Sequence, residues 1–258
     1  MSMRNATEPP QEVRIIPLRG VPEVQPGDDL AALTLDALRA SELALRDGDV
    51  LVVTQKVVSK AENQLVDLRD VQPSELARSF AMRWNKDPRY VEVVLRESVR
   101  IVRMDRGLII SQTRHGLVCA NAGVDASNVA GELACVLPQD PDASAAALRA
   151  ALLARTGTEI AVIISDSFGR PWRNGITNVA IGVAGMAPMA DYRGVADDFG
   201  RVMQASVLAV ADELASAAEL VSGKVSRAPL TLIRGYAYER REGSAAELVL
   251  DASMDLFR

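Results

Sequence analysis

The stretch DSFGRPWRNG (Asp166 to Gly175) follows directly on the apolar run AVIIS. A connecting turn needs little more than a glycine or a proline. Asp166, Ser167, Arg170, Arg173 and Asn174 exceed that need and point to a site. An aspartate closing an apolar strand is a hard oxygen donor, suited to magnesium or manganese beside phosphate. Ser167 adds a second such oxygen. Arg170 and Arg173 are fork-shaped donors matched to phosphate or carboxylate. Trp172 reads as a packing residue.

Two further segments carry polar groups at the end of apolar runs. In GVDASN, Asp125 and Asn128 lie in a glycine-bearing loop, where the aspartate can ligate a divalent ion or form an Asx-turn. In VVSK, Lys60 can meet a phosphate as a point charge or sit solvated. No GxxxxGK[ST] loop occurs, nor a GxGxxG after a strand, so a bound nucleotide needs another geometry. The single histidine, His115, reads as a turn residue; no GxSxG elbow accompanies it, and a three-histidine zinc site is impossible. The residues alone thus indicate a metal- and phosphate-binding enzyme, with no substrate named.

These groups need a scaffold, and the chain can supply one. Its 258 residues suffice for one large domain or two modest ones. A net charge of -5 argues against a general nucleic-acid surface. Cys119 and Cys135 form no CxxC and read as reduced, buried residues. No signal peptide and no membrane span is legible, so a cytoplasmic protein is expected.

Residues 1–12 read as a loose tail. Strands are expected at Val13–Leu18, Val50–Lys60, Glu159–Ser165 and along ITNVAIGVAGM and APLTLIRG, with two short ones around the DRG turn after Arg100. Helices are expected from Asp28 or Asp29 to about Arg46, over Pro73–Lys86 and Pro88–Glu97, along DPDASAAALRAALLART with Asp142 or Ser144 as cap, and up to Gly223. The opening motif itself reads as a loop. Strands and helices mix without a steady alternation, which favours an α+β fold.

Taken in order, LRGVPEVQPGDDL, GDVLVVTQKVVSKAE, GLVCANAGVDASNV, DPDASAAALRAAL, IISDSFGRPWRNGITNVAIGVAGM and ADELASAAELVSGK resemble the coenzyme F-420-0:gamma-L-glutamate ligase family, over roughly Val13 to Gly235. The resemblance implies a ligase domain over 13–258 with two intertwined α+β subdomains, in its stand-alone form. It implies a homodimer with the nucleotide near the subunit boundary. It also implies addition of L-glutamate to F-420-0 with GTP, sometimes several times through gamma-linkages, and a need for magnesium or manganese, often with potassium.

Residue by residue, the family's metal-binding aspartates fall on Asp125 and Asp166, with Ser167 at the neighbouring hydroxyl position. Its guanine-nucleotide contacts fall on Val21, Pro22, Glu23, Val24, Lys60 and Asn128, with Gln55 where a serine is usual. Lys224 stands where many relatives have glutamine, and it makes a second metal there doubtful and a phosphate contact the alternative. Arg170 or Arg173 would add positive charge beside the phosphoryl group. Two competing readings use the same residues: a metal-dependent phosphohydrolase, and a nucleotide-binding protein without turnover.

Overall fold

A computed structural model describes residues 12–127, 131–224 and 226–255. The expected tail falls almost wholly outside them. In chain order the elements are β1 (Arg14–Leu18), α1 (Leu30–Ala40), β2 (Val50–Thr54), α2 (Gln55–Ala61), β3 (Leu65–Asp67), α3 (Glu75–Trp84) and α4 (Pro88–Arg96). Then come β4 (Ser98–Asp105), β5 (Leu108–Thr113), β6 (Val118–Ala120), β7 (Leu133–Cys135) and α5 (Pro141–Thr156). The chain continues with β8 (Ala161–Arg170), β9 (Arg173–Ala184), β10 (Ala190–Asp191), β11 (Val207–Leu208), α6 (Val210–Ser222) and β12 (Leu230–Arg234). The architecture is α+β, as expected.

The centre is a five-stranded sheet of order β1-β12-β2-β8-β9. Only β2 and β8 run parallel; the other neighbours are antiparallel. Successive strand side chains point to opposite faces. Leu51, Val53, Val162, Ile164, Leu230 and Leu232 therefore join one core, with α1 and α5. Val50, Val52, Ala161, Ile163 and Ile233 join the other, with α6. Both faces are covered, which explains the unbroken Val/Ile runs.

A second region packs α3 and α4 against β5, the Asn121–Gly123 turn and β7 around Phe80, Val94, Ile109 and Val136. Its sheet has the order β4-β5-β6. The expected DRG hairpin is present, with Arg106 and Gly107 both at positive φ.

Several expectations are corrected. The first helix stops at Ala40 rather than Arg46, because Glu42 turns left-handed and Leu43 folds back onto Leu38. Asp29 is its cap, accepting from the N–H groups of Ala31 and Ala32. VLVVTQKVVSK is not one strand: after Thr54 the chain turns into α2, which buries Gln55, Val58 and Ser59. Packing overrides the β-branched preference there. The cap of α5 is Asp140, not Asp142 or Ser144. Asp142 instead accepts from Val183 N and from Ser244 and Ala245, fastening the C-terminal segment.

Candidate active site

The opening motif is not a loop. β8 runs on through Asp166 to Arg170, pairs with β9, and turns at Pro171-Trp172. Asp166 pairs with Val179 across the hairpin, still inside the sheet. Trp172 takes a positive φ of 56° at the tip and is 82% exposed, so it does not pack in a core as expected. Proline followed by a residue at φ > 0 is the type II turn pattern, which usually takes glycine second. Arg170 and Arg173 are exposed at this tip, and Arg170 donates to Asn174 O at 3.3 Å. At about 3.3 Å per residue, Arg170 lies roughly 13 Å along the strand from Asp166. The hairpin thus separates the arginines from the aspartate of their own chain.

Asp125 comes from the second region. Asn121, Ala122 and Gly123 all have positive φ, a tight reversal that turns the chain back toward the central sheet. Gly123 is required there: a Cβ would meet the Leu137 side chain at 2.7 Å, besides the left-handed backbone. Asp125 then exchanges backbone hydrogen bonds with Cys135, at 2.9 and 2.8 Å. Its carboxylate accepts from Ser127 N at 2.6 Å, Ser127 Oγ at 2.9 Å and Lys56 Nζ at 2.7 Å. Burial pushes this carboxyl up, but Lys56 and Ser127 outweigh it, and the net position is below the ordinary value.

Asp125 and Asp166 meet electrostatically. Burial pushes the Asp166 carboxyl up to about 6; the Asp125 charge adds to the rise, while the Ser167 N–H, Lys224 and Lys56 oppose it. A buried thiol and a half-buried phenol sense the same pair. Burial and then the Asp166 charge push Cys119 up to about 12, so it is no thiolate nucleophile. Burial and then the Asp125 charge push Tyr90 up to about 12, while its hydroxyl donates to Val124 O.

Among the described residues no cluster of three or more His, Cys, Asp or Glu could cage a metal. A pair of carboxylates is nevertheless the donor set magnesium uses when phosphate and water complete its shell. The residues therefore fit a divalent ion held together with a substrate.

Helix α2 joins this pair to the segment after β1. Lys56 faces Asp125, and one turn later the buried Lys60 forms an ion pair with Glu23. Gly27 N donates to Ala61 O at 2.8 Å, tying the same segment to the helix end. Val21, Glu23 and Lys60 are thus gathered, with Val24 buried beneath. Pro22 lies exposed beside them. Gln55 is different: it is buried, and its amide donates to Ser59 Oγ at 2.6 Å and Val136 O at 3.1 Å. Asn128 lies outside the described residues.

Ser167 points the other way, toward α6. Lys224 Nζ donates to its hydroxyl at 2.5 Å and pairs with Glu219 at 2.6 Å. Oriented to donate, the Asn178 amide reaches Ser167 Oγ at 2.7 Å and Glu219 at 3.3 Å. His115 occupies a turn, with Nε2 3.0 Å from Pro138 O.

Sequence reasoning missed Lys56, Asn178 and Glu219. Lys56 stood in a segment read as strand; read as helix, its spacing from Lys60 puts both on one face. Asn178 and Glu219 sat inside an apolar strand and an amphipathic helix, where nothing local marked them.

Residues 20–235 match the family described as F420-0:Gamma-glutamyl ligase. A protein of Methanothermobacter thermautotrophicus named coenzyme F420:L-glutamate ligase is 45% identical, over 95% of this chain and 99% of its own. Its namesake from Methanopyrus kandleri is also 45% identical, over 95% and 98%. The one from Methanocaldococcus jannaschii is 39% identical, over 84% and 88%. With the two carboxylates and the lysine-bearing helix lying inside the matched residues, the chain belongs to the F420-0:gamma-glutamyl ligase family.

Proposed function

We propose that this enzyme ligates L-glutamate to coenzyme F-420-0, once or repeatedly through gamma-linkages, with GTP as the energy source. The observation that carries the reading is the meeting of Asp125 and Asp166, from different regions of a chain of this family, beside Lys56 on a helix whose Lys60 pairs with Glu23. The matched family and relatives support the reaction class; nucleotide, ion and assembly are our own reading.

In this reaction an oxygen of the acceptor carboxylate attacks the terminal phosphorus of GTP, and GDP leaves. The glutamate amine, having lost a proton, then attacks the acyl carbon, and inorganic phosphate leaves. The chain needs no covalent nucleophile for this, consistent with the raised Cys119 thiol. Magnesium or manganese, when bound, offsets the charge of the transferring phosphoryl group. Asp125 and Asp166 are its ligands in this reading. Val21, Pro22, Glu23, Val24, Lys60 and Asn128 bind the nucleotide, Lys60 as a fixed positive charge. Lys56 keeps Asp125 oriented. Gln55 supports α2 from below rather than touching nucleotide.

Arg170 and Arg173, held away from their own Asp166, serve an acidic group of the acceptor or of glutamate at the boundary between two copies of the chain. The exposed Trp172 and Ile176 on the same hairpin support such a homodimer. Among the described residues no helix is long and apolar enough to cross a membrane.

The test is a mass measurement of products after incubation with F-420-0, glutamate, GTP and manganese. Successive additions of one glutamyl residue are expected, with GDP released only when both other substrates are present. GDP release at an equal rate without them would mean hydrolysis and reject the ligase reading.

A further inference from the structure

The cluster around Ser167 lies against the carboxylate pair but is not part of it. Ser167 Oγ, the Glu219 carboxylate and the Asn178 amide converge from β8, α6 and β9. Backbone bonds fix two of them: Asn178 N donates to Glu219 at 3.0 Å, and Asn178 O accepts from Ser216 Oγ at 2.7 Å. Glu219 is largely buried, at 19% side-chain exposure. A carboxylate this far out of water, with only uncharged groups around it otherwise, is best matched by a cation. Here the cation is Lys224, whose ammonium binds Ser167 and Glu219 together and whose charge reaches Asp166. The lysine arrives from outside the helix, just after Gly223 at φ 54°.

We propose that Lys224 is a tethered cation at the open edge of the active centre: on a side chain that is 55% exposed, its ammonium caps an oxygen-lined position formed by Ser167 and Glu219 beside Asp166, so that no second free cation is taken up there. This rests on the ligase reading for its catalytic consequence, though not for its binding consequence. An ammonium group and a potassium ion are of similar size, and both are satisfied by surrounding oxygen atoms. Removing the side chain therefore leaves a position that a free cation can enter. Ser167 is accordingly a ligand of the ammonium and lies outside the first set of donors to the divalent ion.

Two variants test this at constant ionic strength, with choline chloride as the inert salt. Lys224→Ala opens the position; Lys224→Met keeps it filled without charge. The melting temperature is read first, without substrates. Potassium, ammonium or manganese chloride should raise it for Lys224→Ala beyond any rise in the parent or in Lys224→Met. Glutamate addition should fall about 100-fold in both variants, the scale of losing one preorganised charge or donor. Added potassium or ammonium should restore it in Lys224→Ala alone. The inference is overturned if Lys224→Ala works normally without added cation. It is equally overturned if none of these ions stabilises or rescues that variant, or if Lys224→Met is rescued as well. A parent that adds no glutamate under any of these salts would reject the ligase reading alone, because the melting comparison stands without turnover.

Discussion

The central sheet and the β4-β5-β6 sheet are built to different standards. Strand β2 and the first half of β8, residues 161–165, are buried, sandwiched by α1 and α5 on one side and α6 on the other. Strand β4 is exposed along most of its length, and Val99, Ile101, Val102, Leu108 and Val118 leave apolar surface uncovered. Yet each region supplies one carboxylate. Asp166 follows directly on the buried half of β8, whereas Asp125 is held by a reversal of left-handed residues and a lysine from across the seam. The site therefore depends on a well-anchored half and a half whose placement relies on a few specific contacts.

The most severe way to break this pairing is to remove either acid. Asp125→Ala and Asp166→Ala should each lower glutamate addition by on the order of 10³-fold, equivalent to several kcal/mol of lost charge stabilisation. Circular dichroism should show both variants folded. Near-parental turnover of either at low manganese would exclude that residue as a ligand.

The contrast in packing gives the next effect. Ile163→Ala, in the buried sheet, should cost about 2–5 kcal/mol of unfolding free energy. Ile101→Ala, on the exposed strand, should change it by no more than about 0.5 kcal/mol. Urea titration of the two variants decides this, and equal losses would show that β4 is covered in solution.

The two acids should also differ in how they respond to pH. Asp166 has a folded-state value of about 6 against an ordinary 3.8, so the folded state binds its proton more tightly. That stabilisation is full below 3.8 and is lost as pH rises through about 6, up to roughly 3 kcal/mol in total. Metal-free Asp166→Asn should lack this loss and melt higher than the parent above pH 6. Asp125, held below its ordinary value, has the opposite sign: its contribution is present above that value and disappears on acidification. If metal-free Asp166→Asn melts no higher than the parent at pH 7.5, Asp166 is not buried beside a like charge.

The smallest effect belongs to the nucleotide side. Lys60→Ala should raise the KM for GTP by about tenfold, on the order of 1.4 kcal/mol, and leave that for glutamate nearly unchanged. An unaltered nucleotide dependence would remove Lys60 from the site.

Much of this contrast was legible in the chain. The Val/Ile runs of β2 and β8 predicted buried strands, and the acids ending or following apolar segments flagged Asp125 and Asp166. What misled was closeness in sequence. Arg170 stands four residues from Asp166, which in a loop means contact but in an extended strand means separation. The Pro171-Trp172 pair was the available sign of a hairpin. Lys56 was hidden because Val57 and Val58 favour a strand by local preference, while burial of Gln55, Val58 and Ser59 on one side makes the segment a helix. Glu219 and Asn178 gain meaning only once α6 crosses β9, which no local pattern encodes.

The parallel pairing of β2 and β8 aligns Thr54 with Ser165, so β2 gives way to α2 at the height where β8 carries Asp166 onward along β9. Lys56 and Asp166 are thereby indexed to one another by ladder register. A single-residue insertion or deletion in either strand would slide one past the other by about 3.3 Å and swap its inward and outward faces. Length changes are consequently disfavoured at this joint.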